Sequence, residues 1–205
     1  MTKIIVFGAG GRAGRAIAAE ATRRGLQVTA AVRDPDRHPD LETVTGDITD
    51  PQTVARLASG HDAAVHAAGD MTPTFFQSAA SALIDGLGIA GVGRLIVLGL
   101  AANLRNGAGT LIRDTPEFPD QFRDFARSHA GGTDQLDHAP AGLDWAIICP
   151  SGDFDHDGTS CGQYTFSAPD MTSRITYGDL AVAVIDQIDR PTIHRKYQGA
   201  APASL

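Results

Sequence analysis

Residues 3–16, KIIVFGAGGRAGRA, run from an apolar stretch (Ile4–Phe7) through glycines at 8, 10, 11 and 14 into an alanine-rich segment. A continuous apolar run closed by glycine reads as a strand buried on both faces of a parallel sheet. The continuation RAGRAIAAEATRR over residues 12–24 puts Ile17 and Ala21 at helical i, i+4 spacing, and Gly25 follows as a C-terminal glycine. The glycines fit two registers: G-x-x-G-x-x-G on Gly8, Gly11 and Gly14, or G-x-G-x-x-A on Gly8, Gly10 and Ala13. In both, the first allows a tight turn, the middle one lets backbone approach a pyrophosphate, and the last lets helix and strand pack closely. The helix start then offers unpaired N–H groups and a positive dipole end to phosphates. In this strand–turn–helix setting the motif predicts a dinucleotide site rather than an ordinary glycine-rich turn.

Beyond this unit the same alternation continues. Strands are predicted at 26–32, 43–45, 63–66, 94–98, 145–149 and 192–197. Helices are predicted at 51–59, 74–89, 120–129 and 179–188, with a short one near 134–138. Asp50 and Pro51 are a capping residue and a first-position proline for the second helix. The pattern predicts an α/β fold: a Rossmann-type, doubly wound parallel sheet in a single domain over residues 1–205. Right-handed crossovers give the strand order 3-2-1-4-5-6, with room for a seventh.

The end of the second strand addresses which dinucleotide. A carboxylate there accepts from ribose hydroxyls in NAD sites, whereas an arginine accommodates a 2′-phosphate. The chain reads AAVRDPDR over 30–37, so Arg33 leaves the strand first, ahead of Asp34. Charge-assisted arginine–phosphate contacts favour NADP, with Arg12 as a further cation in the loop. The competing reading makes Arg33 a solvated turn residue paired with Asp34 or Asp36. Asp47, in GDITD, can accept from the adenine amino group. After strand four, His66 and the small residues Ala67, Ala68 and Gly69 lie beside the nicotinamide ribose, and His66 reads equally as a packed structural residue.

Composition narrows the partners. With 24 acidic against 17 basic residues the formal charge is −7, which speaks against a general nucleic-acid binder. Residues 1–34 nevertheless hold six basic against two acidic residues, a positive segment where the phosphates are expected. No run of about 18 apolar residues exists to span a membrane, and the first apolar run is too short for a secretory leader. The two cysteines, Cys149 and Cys161, read as free thiols of a reducing cytoplasm.

Taken in order, GAGGRAG, the VRDP turn, GDITD, HAAG, RLIVLGLAANL, DTPEFP, LDWAIICPSGDF, GQYTF and ITYGDLAVAVIDQI cover most of the chain. Together they resemble the atypical short-chain dehydrogenase/reductases, in particular the small NAD(P)H-binding proteins that include NADH-flavin reductases, biliverdin-flavin reductases and NmrA-like proteins. The resemblance implies that Gly8, Gly11, Arg12, Ala13 and Gly14 wrap the pyrophosphate and that Arg33 holds the ribose phosphate. It places Asp47 and Ile48 by the adenine, Ala67, Ala68 and Gly69 along the ribose, and Cys149, Pro150 and Ser151 on the far side of the nicotinamide. Residues from about 150 to 205 would complete the substrate side.

The implied function is an NAD(P)H-dependent reductase preferring NADPH, passing hydride to flavin or a similar planar acceptor. Flavin would be a substrate and not a tightly bound group. The alternative is a redox sensor that binds NADP(H) and acts through protein partners. Ordinary short-chain dehydrogenases carry Tyr-x-x-x-Lys, which this chain cannot make: its lysines are Lys3 and Lys196, and Thr192 stands where Lys196 would need tyrosine. Flavin reduction tolerates that loss because positioning of two rings dominates.

Two catalytic candidates remain. Asn103, after the fifth strand, can donate to a substrate carbonyl or simply serve the turn. His129 reads as an acid in the cleft or as an exposed residue near a helix end. Asp153, Asp155, Asp157 and Gly158 imitate an EF-hand opening, but Tyr164 stands where the bidentate glutamate belongs, so no metal site is expected. Phe75 and Phe76 read as core or dimer-interface residues, and a homodimer is left open.

Overall fold

In β1 (Lys3–Phe7) four consecutive side chains, Ile4 to Phe7, are buried, leaving the strand no solvent face. Each contributes about 1.5–3 kcal/mol on burial, which fixes the strand at the sheet centre. The structure, a computed structural model, describes residues 1–203. Ser204 and Leu205, the end of the expected domain, lie outside the described residues.

From β1 the chain continues through α1 (Arg12–Arg23), β2 (Gln27–Val32), β3 (Val44–Thr45), α2 (Pro51–Ala58) and β4 (Ala63–His66). It then forms α3 (Phe75–Ala90), β5 (Arg94–Leu98), α4 (Arg123–Thr133) and β6 (Asp144–Pro150). The remainder comprises β7 (Asp153–Asp155), β8 (Tyr164–Ser167), β9 (Arg174–Thr176), α5 (Tyr177–Asp189) and β10 (Lys196–Pro202).

Eight strands make one sheet in the order β3-β2-β1-β4-β5-β6-β10-β8. All neighbours are parallel except β8, which runs antiparallel to β10 at the edge. Helices α1 and α5 cover one face, over Ile4, Val6 and Ile148; α2, α3 and α4 cover the other, over Ile5, Phe7 and Ile147. This is the expected Rossmann-type doubly wound sheet in a single domain, with the expected order of its first six strands. The reversal between β1 and β4 opens a crevice at the strands' carboxyl ends, where such sheets bind ligands.

The structure departs from the sequence expectation in the last third. The closing strand begins at Lys196 and not at Thr192, because Gln187 Oε1 accepts from the Thr192 and Ile193 N–H groups (both 2.9 Å) and holds that segment in a turn. Arg195 then takes a positive φ of 49° before the strand starts. Helix α4 runs past His129 to Thr133, so His129 is buried inside the helix and not exposed near its end. The acidic segment after β6 forms β7, paired in parallel with β9 in a separate small sheet. Phe75 and Phe76 belong to the chain's own core. Among the described residues no helix is long and apolar enough to cross a membrane.

Candidate functional site

Two glycines shape the turn between β1 and α1. Gly8 has φ of 82°, and a Cβ there would lie 2.4 Å from the Ala68 backbone nitrogen. A Cβ on Gly14 would lie 2.2 Å from the Gly8 carbonyl oxygen, so the helix can start this close to the loop only without one. Gly11 is the N-cap of α1 with no capping side chain, and the first turn carries no acidic residue. The first N–H groups of α1 are therefore left for an anion. A Cβ on Gly11 would meet only the Gly8 oxygen, at 3.6 Å, and Gly11 lines the adjoining cleft, so it is the cleft that a side chain here would fill. A diphosphate fits this cradle.

The cleft, of about 190 Å³, runs across the carboxyl ends of β1, β2, β3 and β4. Of the expected cofactor residues it brings together Gly8, Gly11, Arg33, Asp47, Ile48, Ala67, Ala68 and Gly69. Arg33 pairs with neither Asp34 nor Asp36. Its Nη1 donates to Asp70 Oδ2 at 3.1 Å, while Asp34 caps the following turn by accepting from the Asp36 N–H. Asp70 also accepts from the Thr72 hydroxyl and N–H, and these bonds, followed by Arg33, hold its carboxyl down at about 2.

Arg12, Ala13 and Gly14 do not line this cleft. Arg12 points the other way along the loop, to His156 Nδ1 (3.1 Å), which also meets the Tyr177 hydroxyl (2.9 Å). The Tyr177 ring stacks on Phe154 with centroids 4.2 Å apart, so the segment after β6 is fastened to the glycine loop. Cys149 and Pro150 end β6 and Ser151 follows it, but all three are buried, and none lines the cleft. The Cys149 thiol faces the Gln198 carbonyl and burial pushes its pKa up, so its side chain packs within the sheet.

Sequence reasoning missed His38, which lines the cleft, and Asp70, which holds Arg33 at its edge. His38 lies over Gly10, where a Cβ would come within 2.2 Å of its ring, and is joined by Arg15 Nη2 at 3.3 Å. Asp70 directly follows HAAG, a placement that marks it; His38 sits in a loop and gives no comparable signal.

At the carboxyl end of β5, Asn103 and His129 are buried together. The Asn103 side-chain N–H donates to His129 Nδ1 (3.4 Å), and His129 Nε2–H donates to the Leu98 carbonyl (3.2 Å). Arg113 donates to the Asn103 oxygen, fixing the amide's orientation. Burial, outweighing the Leu98 bond, pushes His129 down to about 4, so it is neutral at pH 7 and its N–H is engaged. In this arrangement the His129 proton is engaged by the Leu98 carbonyl. His66 is likewise buried and neutral, pushed down to about 3 by burial and then by His129. Its Nδ1 accepts from the Ala68 N–H (3.3 Å), which sets the 67–69 backbone beside Gly8.

A glycine loop that opens a helix N-terminus onto a cleft at the sheet's switch point defines a dinucleotide-binding Rossmann protein. The chain belongs to the NAD(P)H-binding family, whose sequence profile matches residues 8–191. It is 31% identical over 201 residues to the uncharacterized protein YwnB of Bacillus subtilis, covering 92% of this chain and 93% of that one. A Streptococcus pneumoniae protein provisionally named an NADH-flavin reductase superposes with a TM-score of 0.85 at 28% identity, covering 99% of this chain and all of that one. A shorter similarity, 36% over 78 residues, links the chain to the nitrogen metabolite regulation-like protein bik4 of Gibberella fujikuroi, covering 33% of this chain and 23% of that one.

Proposed function

We propose that this protein is an NADPH-dependent reductase acting on a flavin or a similar planar acceptor. The observation that carries this reading is the cleft itself: a phosphate cradle at α1 with Arg33 and Arg37 on the same wall. The bound cofactor supplies the hydride. The free N–H groups at the start of α1 hold the pyrophosphate, and Arg33 exchanges Asp70 for the 2′-phosphate. Asp47 accepts from the adenine amino group. Ala67, Ala68 and Gly69 admit the ribose by being small, and backbone at Cys149, Pro150 and Ser151 flanks the nicotinamide. Residues beyond about 150 complete the substrate side, fastened to the loop through Arg12 and His156.

Asn103 keeps one N–H of its amide beyond those engaged, and that N–H donates to the acceptor. His129 positions Asn103 and does not transfer a proton. The absent tyrosine–lysine pair fits an acceptor that takes hydride on a ring, where positioning supplies most of the acceleration. A cytoplasmic setting fits a reductase that draws on NADPH. The name of the S. pneumoniae protein supports the reductase reading.

Steady-state NADPH oxidation with FMN, FAD and a quinone tests the proposal, with turnover of at least one acceptor expected. Tight NADPH binding with no turnover of any acceptor would overturn it. The alternative is a redox sensor that binds NADP(H) and acts through protein partners. That reading predicts partner affinities that differ between NADP+ and NADPH in the absence of turnover.

A further inference from the structure

A second, larger groove of about 890 Å³ begins at Asn103 and runs down the sheet beside α4. Its floor is Tyr197 and Gly199 of β10 with Ser167 of β8, and Trp145 lies at the far end. It forms because β10 and β8 extend the sheet past the last helix on that face. Three arginines line it: Arg105, Arg113 and Arg195.

Each of these guanidiniums is held by neutral oxygens. Arg105 donates to the Gly109 carbonyl, Arg113 to the Asn103 amide oxygen, and Arg195 to the carbonyls of Ala139, Pro140 and Leu143. Among the described residues none of the three forms a salt bridge with a carboxylate. Asp134 and Asp137 also line the groove, and Asp134 is engaged by the Tyr197 hydroxyl at 3.3 Å. Two lining residues, Trp145 and Ser167, also carry polar atoms without a hydrogen-bond partner, but these atoms are sealed beneath the groove surface and do not face it. In a chain of net charge −7, three arginines without a carboxylate partner, joined by Lys196 and opposed in the lining only by Asp134 and Asp137, make this groove a place for an anion.

We propose that this groove binds the anionic arm of the electron acceptor, a phosphate or carboxylate chain, with the acceptor's ring at the Asn103 end. Arg105 and Arg113 hold the anion, and the volume is that of a small-molecule site. The identity of the ligand as acceptor rests on the reductase reading; the anion preference of the groove does not.

Equilibrium binding keeps the two apart. Trp145 is the chain's single tryptophan and lines the groove, so its fluorescence reports occupancy. The probes are FMN against riboflavin for phosphate, and biliverdin against its dimethyl ester for carboxylate. In at least one pair the anionic member is expected to bind ten-fold tighter or more (about 1.4 kcal/mol). Arg105→Ala and Arg113→Ala should each cut that preference to under about three-fold, and Arg105→Lys should keep most of it. Arg105 is exposed, so its variants fold even where Arg113→Ala disturbs Asn103. Equal binding within both pairs, no binding of any probe, or a preference that survives Arg105→Ala would overturn the proposal. Turnover is read separately: anion preference without NADPH oxidation sinks the reductase reading and leaves the groove assignment standing.

Discussion

On the proposed reading, Arg33 and Asp70 set the preference for NADPH between them. The guanidinium sits at the edge of the cleft, 66% exposed, with Asp70 as its partner at 3.1 Å. A 2′-phosphate must compete with that carboxylate, so the pair sets NADPH affinity by difference. Arg33→Ala is expected to weaken NADPH by about ten-fold or more while changing NADH little, since only NADPH offers the charge-assisted contact. Asp70→Asn should act oppositely, tightening NADPH several-fold and leaving NADH near its original affinity. Titration of both variants with both cofactors checks this; parallel losses for NADPH and NADH would show that Arg33 does not read the phosphate. Arg33 was legible because it is the first residue past an apolar strand, and the glycines because their spacing is fixed by the turn. His38 was not, because it reaches the cleft from a loop whose path depends on tertiary contacts, and Asp70, though marked by its place after HAAG, gives no sequence sign of its pairing with Arg33. The same holds for His129: its burial follows from how far α4 runs, which composition around Gly131 and Gly132 argues against.

Among the elements, α5 shows how the segment after β6 is tied down. Thr176 caps it by accepting from the Asp179 N–H (3.0 Å). The buried Asp179 carboxylate accepts from the Thr176 and Ser160 hydroxyls (both 2.7 Å) and from the N–H groups of Cys161, Gly162 and Gln163. Burial alone would raise its pKa; these bonds overcome that and lower it. Asp179→Ala strips the loop at 160–163 of its charged acceptor and removes these hydrogen bonds together, a loss of about 3 kcal/mol. Urea unfolding measures it, and a loss below about 1 kcal/mol would show that the carboxylate does not hold the loop. Elements with periodic apolar runs, β1 to β6 and α1 to α3, were legible to within a residue or two. β8 and β9 were not, being short and half exposed, and β10 was displaced because its buried part, Gly199 and Ala200, has small side chains instead of β-branched ones.

Across the whole molecule, His66 and His129 couple the site to acid stability. Both are buried between the sheet and the α3–α4 layer and are neutral in the folded chain, at about 3 and about 4 respectively. Unfolding returns each to about 6.5. Above that value neither state binds the proton, so pH has no effect through these groups. Below it the unfolded chain takes up two protons that the folded chain refuses, and stability falls by about 1.4 kcal/mol per pH unit for each histidine. From pH 7 to pH 5 the two together cost about 4 kcal/mol, a large part of a typical domain's stability. The fall should continue until pH passes the folded values near 4 and then 3. Denaturant unfolding between pH 8 and pH 5 gives the slope directly. His129→Gln keeps a polar side chain beside Asn103 and removes one titration, so its slope between pH 6.5 and 5 should be about half that of the parent. An unchanged slope would mean that His129 is not the neutral, buried partner of Asn103, and the positioning role given to it would fall with that result.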